Sequence, residues 1–206
     1  MDGVERHHDR RENLCLRRSL IQFVNQLFFG GFVTLGQFNT KRLSVHDWTP
    51  AVKCRDQRVM LEDALVSLLT VRVLKHLPPS LQLSDGAESV SAWIDERVAE
   101  SDVLLVEQTE DSELIGLVIL SPEKEDGRIS SVHIGYLLAE AVWGKGIATE
   151  LMTGLVSAME ALKPVTLLGG VDRNNPSSAR VLKKTGFRAD VHSPNPDVEV
   201  YIRVIE

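Results

Sequence analysis

The 206 residues carry 23 Lys and Arg against 29 Asp and Glu, a formal net charge of −6, with 43% hydrophobic and 25% charged residues. That is chain enough to bury a full core, with the composition of an ordinary soluble globular protein. The acidic surplus excludes a general nucleic-acid binder, which would carry a basic surplus or stripe. No uninterrupted apolar run reaches the roughly 20 residues that cross a bilayer, which excludes stable membrane insertion.

Residues 1 to about 12 are charged and lack apolar periodicity, so they are expected to be disordered. Arg10, Arg11, Arg17 and Arg18 would suit a transit peptide, but Asp9 and Glu12 do not. From Leu14 to Gln37, Leu16, Leu20, Phe23, Val24, Leu27 and Phe28 fall at helical spacing. A packed helix, a membrane-surface segment and an extension unrelated to the core all fit that pattern. The chain therefore divides into an N-terminal extension over 1–37, partly disordered or helical, and an organised domain over 38–206. Cys15 and Cys54 make neither a metal spacing nor a disulfide framework. They read as reduced thiols of an intracellular, cytoplasmic protein.

Within the domain, residues 41–48 alternate like a strand that Pro50 ends. Residues 55–77 predict a helix, broken once, with Met60, Ala64, Leu65, Leu68, Leu69 and Val73 on its buried side, and Pro78-Pro79 stops it. Ser84 or Asp85 would cap a further helix through Ala99 that buries Val90, Trp93, Ile94 and Val98. Trp48 and Trp93 read as core. Strands follow at 103–107, 113–120 and 128–138, with polar links at 109–112 and 122–127. Such short links make an antiparallel meander, because a parallel pair needs a long crossover.

The spacing of Ile147, Ala148, Leu151, Met152, Leu155, Val156, Met159 and Leu162 predicts an amphipathic helix over 144–162. A strand at 165–171 follows Pro164, and strand–helix–strand here means a parallel crossover. Asn175 before Pro176 is a helix cap with a first-turn proline, and Gly186 stops that helix. Strands at 187–190 and 198–205 would close the sheet. Between the third strand and the amphipathic helix lies a glycine turn containing Gly144 and Gly146. A helix start leaves about four N–H groups without partners and carries the positive dipole end, a ready site for phosphate oxygens. Residues 143–190 hold seven Lys and Arg against four Asp and Glu, either a solvated face or a basic field for an anionic ligand.

A P-loop fails here, since Gly146 stands where Ser or Thr is needed and Ala139 where the first glycine belongs. A dinucleotide fingerprint fails as well: Thr149 replaces the third small residue, and a meander rather than βαβ units precedes the turn. What the residues do match is a family. Ile134-Gly135-Tyr136-Leu137-Leu138 with Trp143-Gly144-Lys145-Gly146-Ile147-Ala148-Thr149-Glu150, followed by residues 175–187 (NPSSARVLKKTGF), resembles the GNAT acyltransferases, and within them the RimJ/RimL-like N-acetyltransferases. The resemblance runs from about Asn39 to the C-terminus. Trp143 departs from the superfamily's usual Arg or Gln at that position, which removes one polar side chain near the phosphates.

The resemblance implies the GNAT (acyl-CoA N-acyltransferase) fold, an α/β fold with a mixed, mostly antiparallel sheet of six to seven strands flanked by helices. It implies acetyl-CoA as co-substrate, no metal, and a primary amine as acceptor, on a protein N-terminus or a small molecule. Trp143, Gly144, Lys145, Gly146, Ile147, Ala148 and Thr149 would lie along the pyrophosphate. Leu137 and Leu138 would offer backbone groups to the pantetheine arm, and a backbone N–H there could hold the thioester oxyanion. Asn175 would bond the pantetheine or simply cap its helix, and Ser178 would protonate the departing thiolate. The amine attacks directly and must be neutral. At pH 7 about 0.04% of a lysine amine is neutral, against about 10–15% of an α-amino group, so an N-terminal acceptor needs less help from a base. His133, Glu107 and Glu113 are the base candidates, with His133 best placed in the chain. A non-catalytic acyl-CoA-binding or regulatory module on the same fold is the alternative. Monomer and homodimer are both compatible with the sequence.

Overall fold

The structure, a computed structural model, describes residues 37–83, 89–190 and 195–206. The expected extension, Cys15 and the Ser84 or Asp85 cap lie outside the described residues. Eight strands form one sheet in the order β1-β2-β3-β4-β5-β6-β8-β7. These are β1 (Phe38–Asn39), β2 (Leu43–Asp47), β3 (Asp102–Gln108), β4 (Leu114–Glu125), β5 (Arg128–Leu138), β6 (Val165–Asp172), β7 (Arg188–Ala189) and β8 (Val198–Ile205). The helices are α1 (Thr49–Lys53), α2 (Arg55–Leu68), α3 (Val71–Leu74), α4 (Ser89–Glu100), α5 (Ile147–Met159) and α6 (Pro176–Lys184). The mixed, mostly antiparallel sheet with flanking helices matches expectation. It has one strand more than the expected six to seven because the two-residue β1 is added at one edge, while β7 at the other edge is the strand expected at 187–190, shortened to two residues. Among the described residues no helix is long and apolar enough to cross a membrane.

The sheet is buried on both faces. Leu104, Val106 and Val118 face a core with Leu151, Met152, Leu155 and Leu182 of α5 and α6. Val103, Leu105 and Leu117 face a second core with Trp48, Leu61, Leu65, Trp93 and Ile94 from the α1–α4 side. That explains why β3 and β4 read as continuous apolar runs rather than alternating ones. Trp48 and Trp93 are buried edge to face, ring centroids 6.4 Å apart. Leu151 is fully buried. Leu151→Ala should cost about 2–5 kcal/mol of stability, read as a lower urea midpoint with an unchanged slope.

Four expectations are corrected. Helix starts at Thr49, where Pro50 occupies the first turn instead of closing a strand, a position whose N–H has no helical partner anyway. The inward face of α2 is Leu61, Leu65 and Leu68, while Met60 is 71% exposed. In α4 Val98 is 52% exposed and the neighbouring Arg97 only 2%. The Arg97 guanidinium lies 5.6 Å over the Trp93 ring and donates to Ser80 O and Glu100, so its charge is matched by the ring face, a carbonyl and a carboxylate. Finally, β4 runs through Pro122 to Glu125 and turns at Asp126-Gly127. Pro122 lies beyond the end of β3, where a missing N–H costs no ladder bond.

β5 and β6 are the parallel pair, as the α5 crossover requires. They pair only where Ser131, Val132 and His133 meet Thr166, Leu167 and Leu168. Both strands run on, β5 to Leu138 and β6 to Asp172, without pairing again. The sheet is therefore split at its centre, and the split opens toward the glycine turn.

Candidate active site

The turn after β5 reaches α5 through two left-handed residues, Gly144 at φ 72° and Gly146 at φ 77°. A side chain would strain both positions. Glu150 N–H is the first amide of α5 to find a helical acceptor, Gly146 O at 3.1 Å. Among the described residues, no protein acceptor takes the N–H groups of residues 144–149. Six consecutive amides at a helix start are therefore left for an anion. A groove of about 950 Å³ adjoins them, lined in part by Lys41, Gly146, Thr149, Gly154 and Lys184.

Arg42, which sequence reasoning passed over, stands beside this turn. A Cβ on Gly146 would lie 3.8 Å from Arg42 Nη2, and Arg42 Nη1 donates to Lys145 O at 3.1 Å. Glu150 fixes it there. The Glu150 carboxylate accepts from Arg42 Nε at 2.6 Å, Arg42 N–H at 2.9 Å and Thr40 Oγ1 at 2.6 Å. Burial alone would raise the Glu150 pKa, but these hydrogen bonds outweigh it and hold the carboxyl below the usual glutamate range. A depressed carboxylate pKa stabilises the fold above the unfolded value and loses that contribution as pH falls through the folded one. Glu150→Gln should accordingly lose about 1–2 kcal/mol at pH 7, with the gap to wild type closing on acidification below about pH 4. Urea titrations at the two pH values check this.

In the split, odd and even residues of β5 have different jobs. Ala139 N–H bonds Ile115 O, so by antiparallel alternation Leu137, paired with Leu117, spends its backbone groups on β4. Tyr136 and Leu138 turn theirs the other way, into the split. This corrects the expectation that Leu137 and Leu138 both offer strand-edge groups. Leu138 O already accepts the indole N–H of Trp143 at 2.8 Å, so it is the Leu138 N–H that the split retains. Trp143 is 45% exposed, and Arg72 stacks over its ring at 5.6 Å.

Ser178 and Asn175 lie at the start of α6. Asn175 caps the helix, its Oδ1 accepting Ser178 N–H at 3.1 Å. Tyr136 and Ser178, 42 positions apart in the chain, meet with their hydroxyls 2.9 Å apart. Burial raises the Tyr136 pKa and the Ser178 hydrogen bond offsets only part of that, so the phenol keeps its proton at neutral pH. His133 stands apart from this pair. It lies in the segment of β5 still paired with β6, 56% exposed, with Nε2 3.4 Å from Glu123. Glu107 is tied to His46 at 3.2 Å, and Glu113 accepts from Gln108 at 3.3 Å on the exposed hairpin.

The family model for an acetyltransferase (GNAT) domain matches residues 43–188. No curated protein matches the sequence. Among solved structures, an acetyltransferase of the GNAT family from Bacillus anthracis is similar with TM-score 0.60 at 15% identity, over 81% of this chain and 96% of that one. RimL, a ribosomal L7/L12 α-N-protein acetyltransferase in complex with coenzyme A, gives 0.59 at 14% identity over 81% and 96%. Ribosomal-protein-S5-alanine acetyltransferase from Vibrio fischeri gives 0.57 at 14% over 82% and 96%. At these identities the likeness is one of fold.

Proposed function

This chain belongs to the GNAT acetyltransferase family, and on that premise we propose that it is an acetyl-CoA-dependent N-acetyltransferase of the RimJ/RimL-like branch. Its acceptor is a primary amine, on a protein N-terminus or a small molecule, that attacks the thioester directly in a ternary complex. The observation that carries this reading is the run of six unpartnered amides at 144–149 opening beside the split between β5 and β6. The amides suit a pyrophosphate, Arg42 adds a cation next to them, and Lys41 and Lys184 flank the adjoining groove. A pantetheine arm entering the split would meet the strand-edge groups of Tyr136 and Leu138 as a further strand would.

At the thioester, the Leu138 N–H is the donor available to a developing oxyanion. The Ser178 hydroxyl, backed by Tyr136, is the proton source for the leaving sulfur, and Asn175 holds Ser178 at the helix start. Acetyl-CoA and the acceptor are the partners this chemistry needs, and a cytoplasmic setting goes with that supply. A thiol-release assay with acetyl-CoA across Ser-, Ala- and Met-initiated peptides, spermidine and lysine tests the proposal. Release of coenzyme A with at least one amine is expected. Acetyl-CoA binding without transfer to any amine would instead leave an acyl-CoA-binding module.

A further inference from the structure

His76 takes no part in the machinery above, yet it is fixed at the mouth of the split. Its Nδ1 lies 2.9 Å from Asp172 Oδ2. Asp172 is the last residue of β6, and its other oxygen accepts Asn174 N–H at 2.8 Å and Asn174 Nδ2 at 3.2 Å. The hydrogen bond from His76, then that from Asn174, keeps the Asp172 carboxyl below the ordinary aspartate range. An ionised carboxylate only accepts, so Nδ1 carries the hydrogen, and in the neutral imidazole Nε2 then holds the lone pair. Among the described residues Nε2 has no partner.

The segment bearing His76 bridges the split. At its start Thr70 and Arg72 donate to Glu140, just past the end of β5, at 2.7 Å and 2.6 Å. At its end His76 reaches the tip of β6. Val165, Leu167 and Val171 of β6 face the α5–α6 core, so Asp172, next along the strand from Val171, faces the α1–α4 side. Tyr136 packs against the α5–α6 core and meets Ser178 there. The split thus has a hydroxyl pair on one face and a lone imidazole nitrogen on the other.

We propose that His76 is the proton acceptor for the attacking amine, with Asp172 as its positioning residue; this rests on the acetyl-transfer reading above. As the neutral amine nitrogen bonds the acetyl carbon, one N–H proton passes to His76 Nε2. The C–S bond breaks, the sulfur takes the Ser178 proton, and water carries the imidazolium proton back to the serine–tyrosine pair. Amide and free thiol are the net products. The charged groups near His76 are Asp172, Lys75 beside it in the chain, and Arg72 with Glu140 at the far end of the segment. Arg173 is turned away to Glu199 at 3.1 Å.

The test compares wild type, His76→Gln, Asp172→Asn, His76→Gly and His133→Ala, using acetyl-CoA and the best amine of the panel above. His76→Gln should lower kcat/KM about 10²–10³-fold and abolish the acid limb of its pH profile. Its stabilisation by acetyl-CoA should match wild type, and added imidazole should partly restore His76→Gly. Asp172→Asn should give a smaller loss with a displaced limb. Transfer by His76→Gln at wild-type rate and pH profile, or loss of the limb in His133→Ala instead, overturns the role of His76 and leaves acetyl transfer standing. A wild type that binds acetyl-CoA but acetylates no amine overturns both.

Discussion

Gly146→Glu is expected to remove the thermal stabilisation that acetyl-CoA gives the wild type. At a hundredfold excess over Kd a ligand stabilises a fold by about 2.7 kcal/mol, and all of that should vanish. Two effects combine. The backbone at φ 77° admits a side chain only at about 1–2 kcal/mol, which lowers the melting temperature of the unliganded variant modestly. The nearest atom to the new Cβ is Arg42 Nη2 at 3.8 Å, so there is room and the fold should survive. The carboxylate then sits among the amides of 144–149 and beside Arg42, taking the donors and the cation that a pyrophosphate needs. Gly146→Ala supplies the comparison: it carries the same strain without the charge and should retain part of the shift. Equal stabilisation of wild type and Gly146→Glu by acetyl-CoA would remove the cofactor assignment.

Ser178→Ala should lower kcat about 10²–10³-fold while leaving KM for acetyl-CoA nearly unchanged. In the proposed binding mode the pyrophosphate and pantetheine would be held by backbone groups that the substitution does not touch. Without a nearby proton the sulfur leaves as an unprotonated thiolate, so the loss falls on the chemical step. Tyr136→Phe should cost a comparable factor, since the phenol holds its proton at neutral pH and can return it to the serine. The double variant should be little worse than either single one, because two groups acting as one relay are not additive. Steady-state kinetics with thiol detection measures all three. A twofold additive loss in each would make the pair a structural bond only.

Much of this fold was legible in the chain. The limits of β5 match the expected strand, and the antiparallel meander follows from short polar links. Failures came where local signals were ambiguous. The helix phase slipped by one position at Met60 and Val98 because α2 and α4 mix apolar residues around their circumference. Pro122 reads as a loop unless one knows that β3 has ended beside it. His76, a lone histidine between a short helix and two prolines, offers no periodic signal at all. Arg42 is equally silent, one cation among 23.

What the sequence by itself determined is everything carried by near neighbours: the glycine turn opening α5, the Asn175 cap, the antiparallel meander and the crossover. Hydrogen-bond spacing and side-chain period act over three to seven residues and leave their mark in any window of that size. What only the tertiary structure decided is where β5 and β6 part and which residues then face one another. Arg42 with Glu150, Tyr136 with Ser178 and His76 with Asp172 are separated by 108, 42 and 96 positions. Such pairs depend on strand register, and a slip of one residue would turn every side chain to the opposite face. That register is settled by how the two cores pack on the sheet.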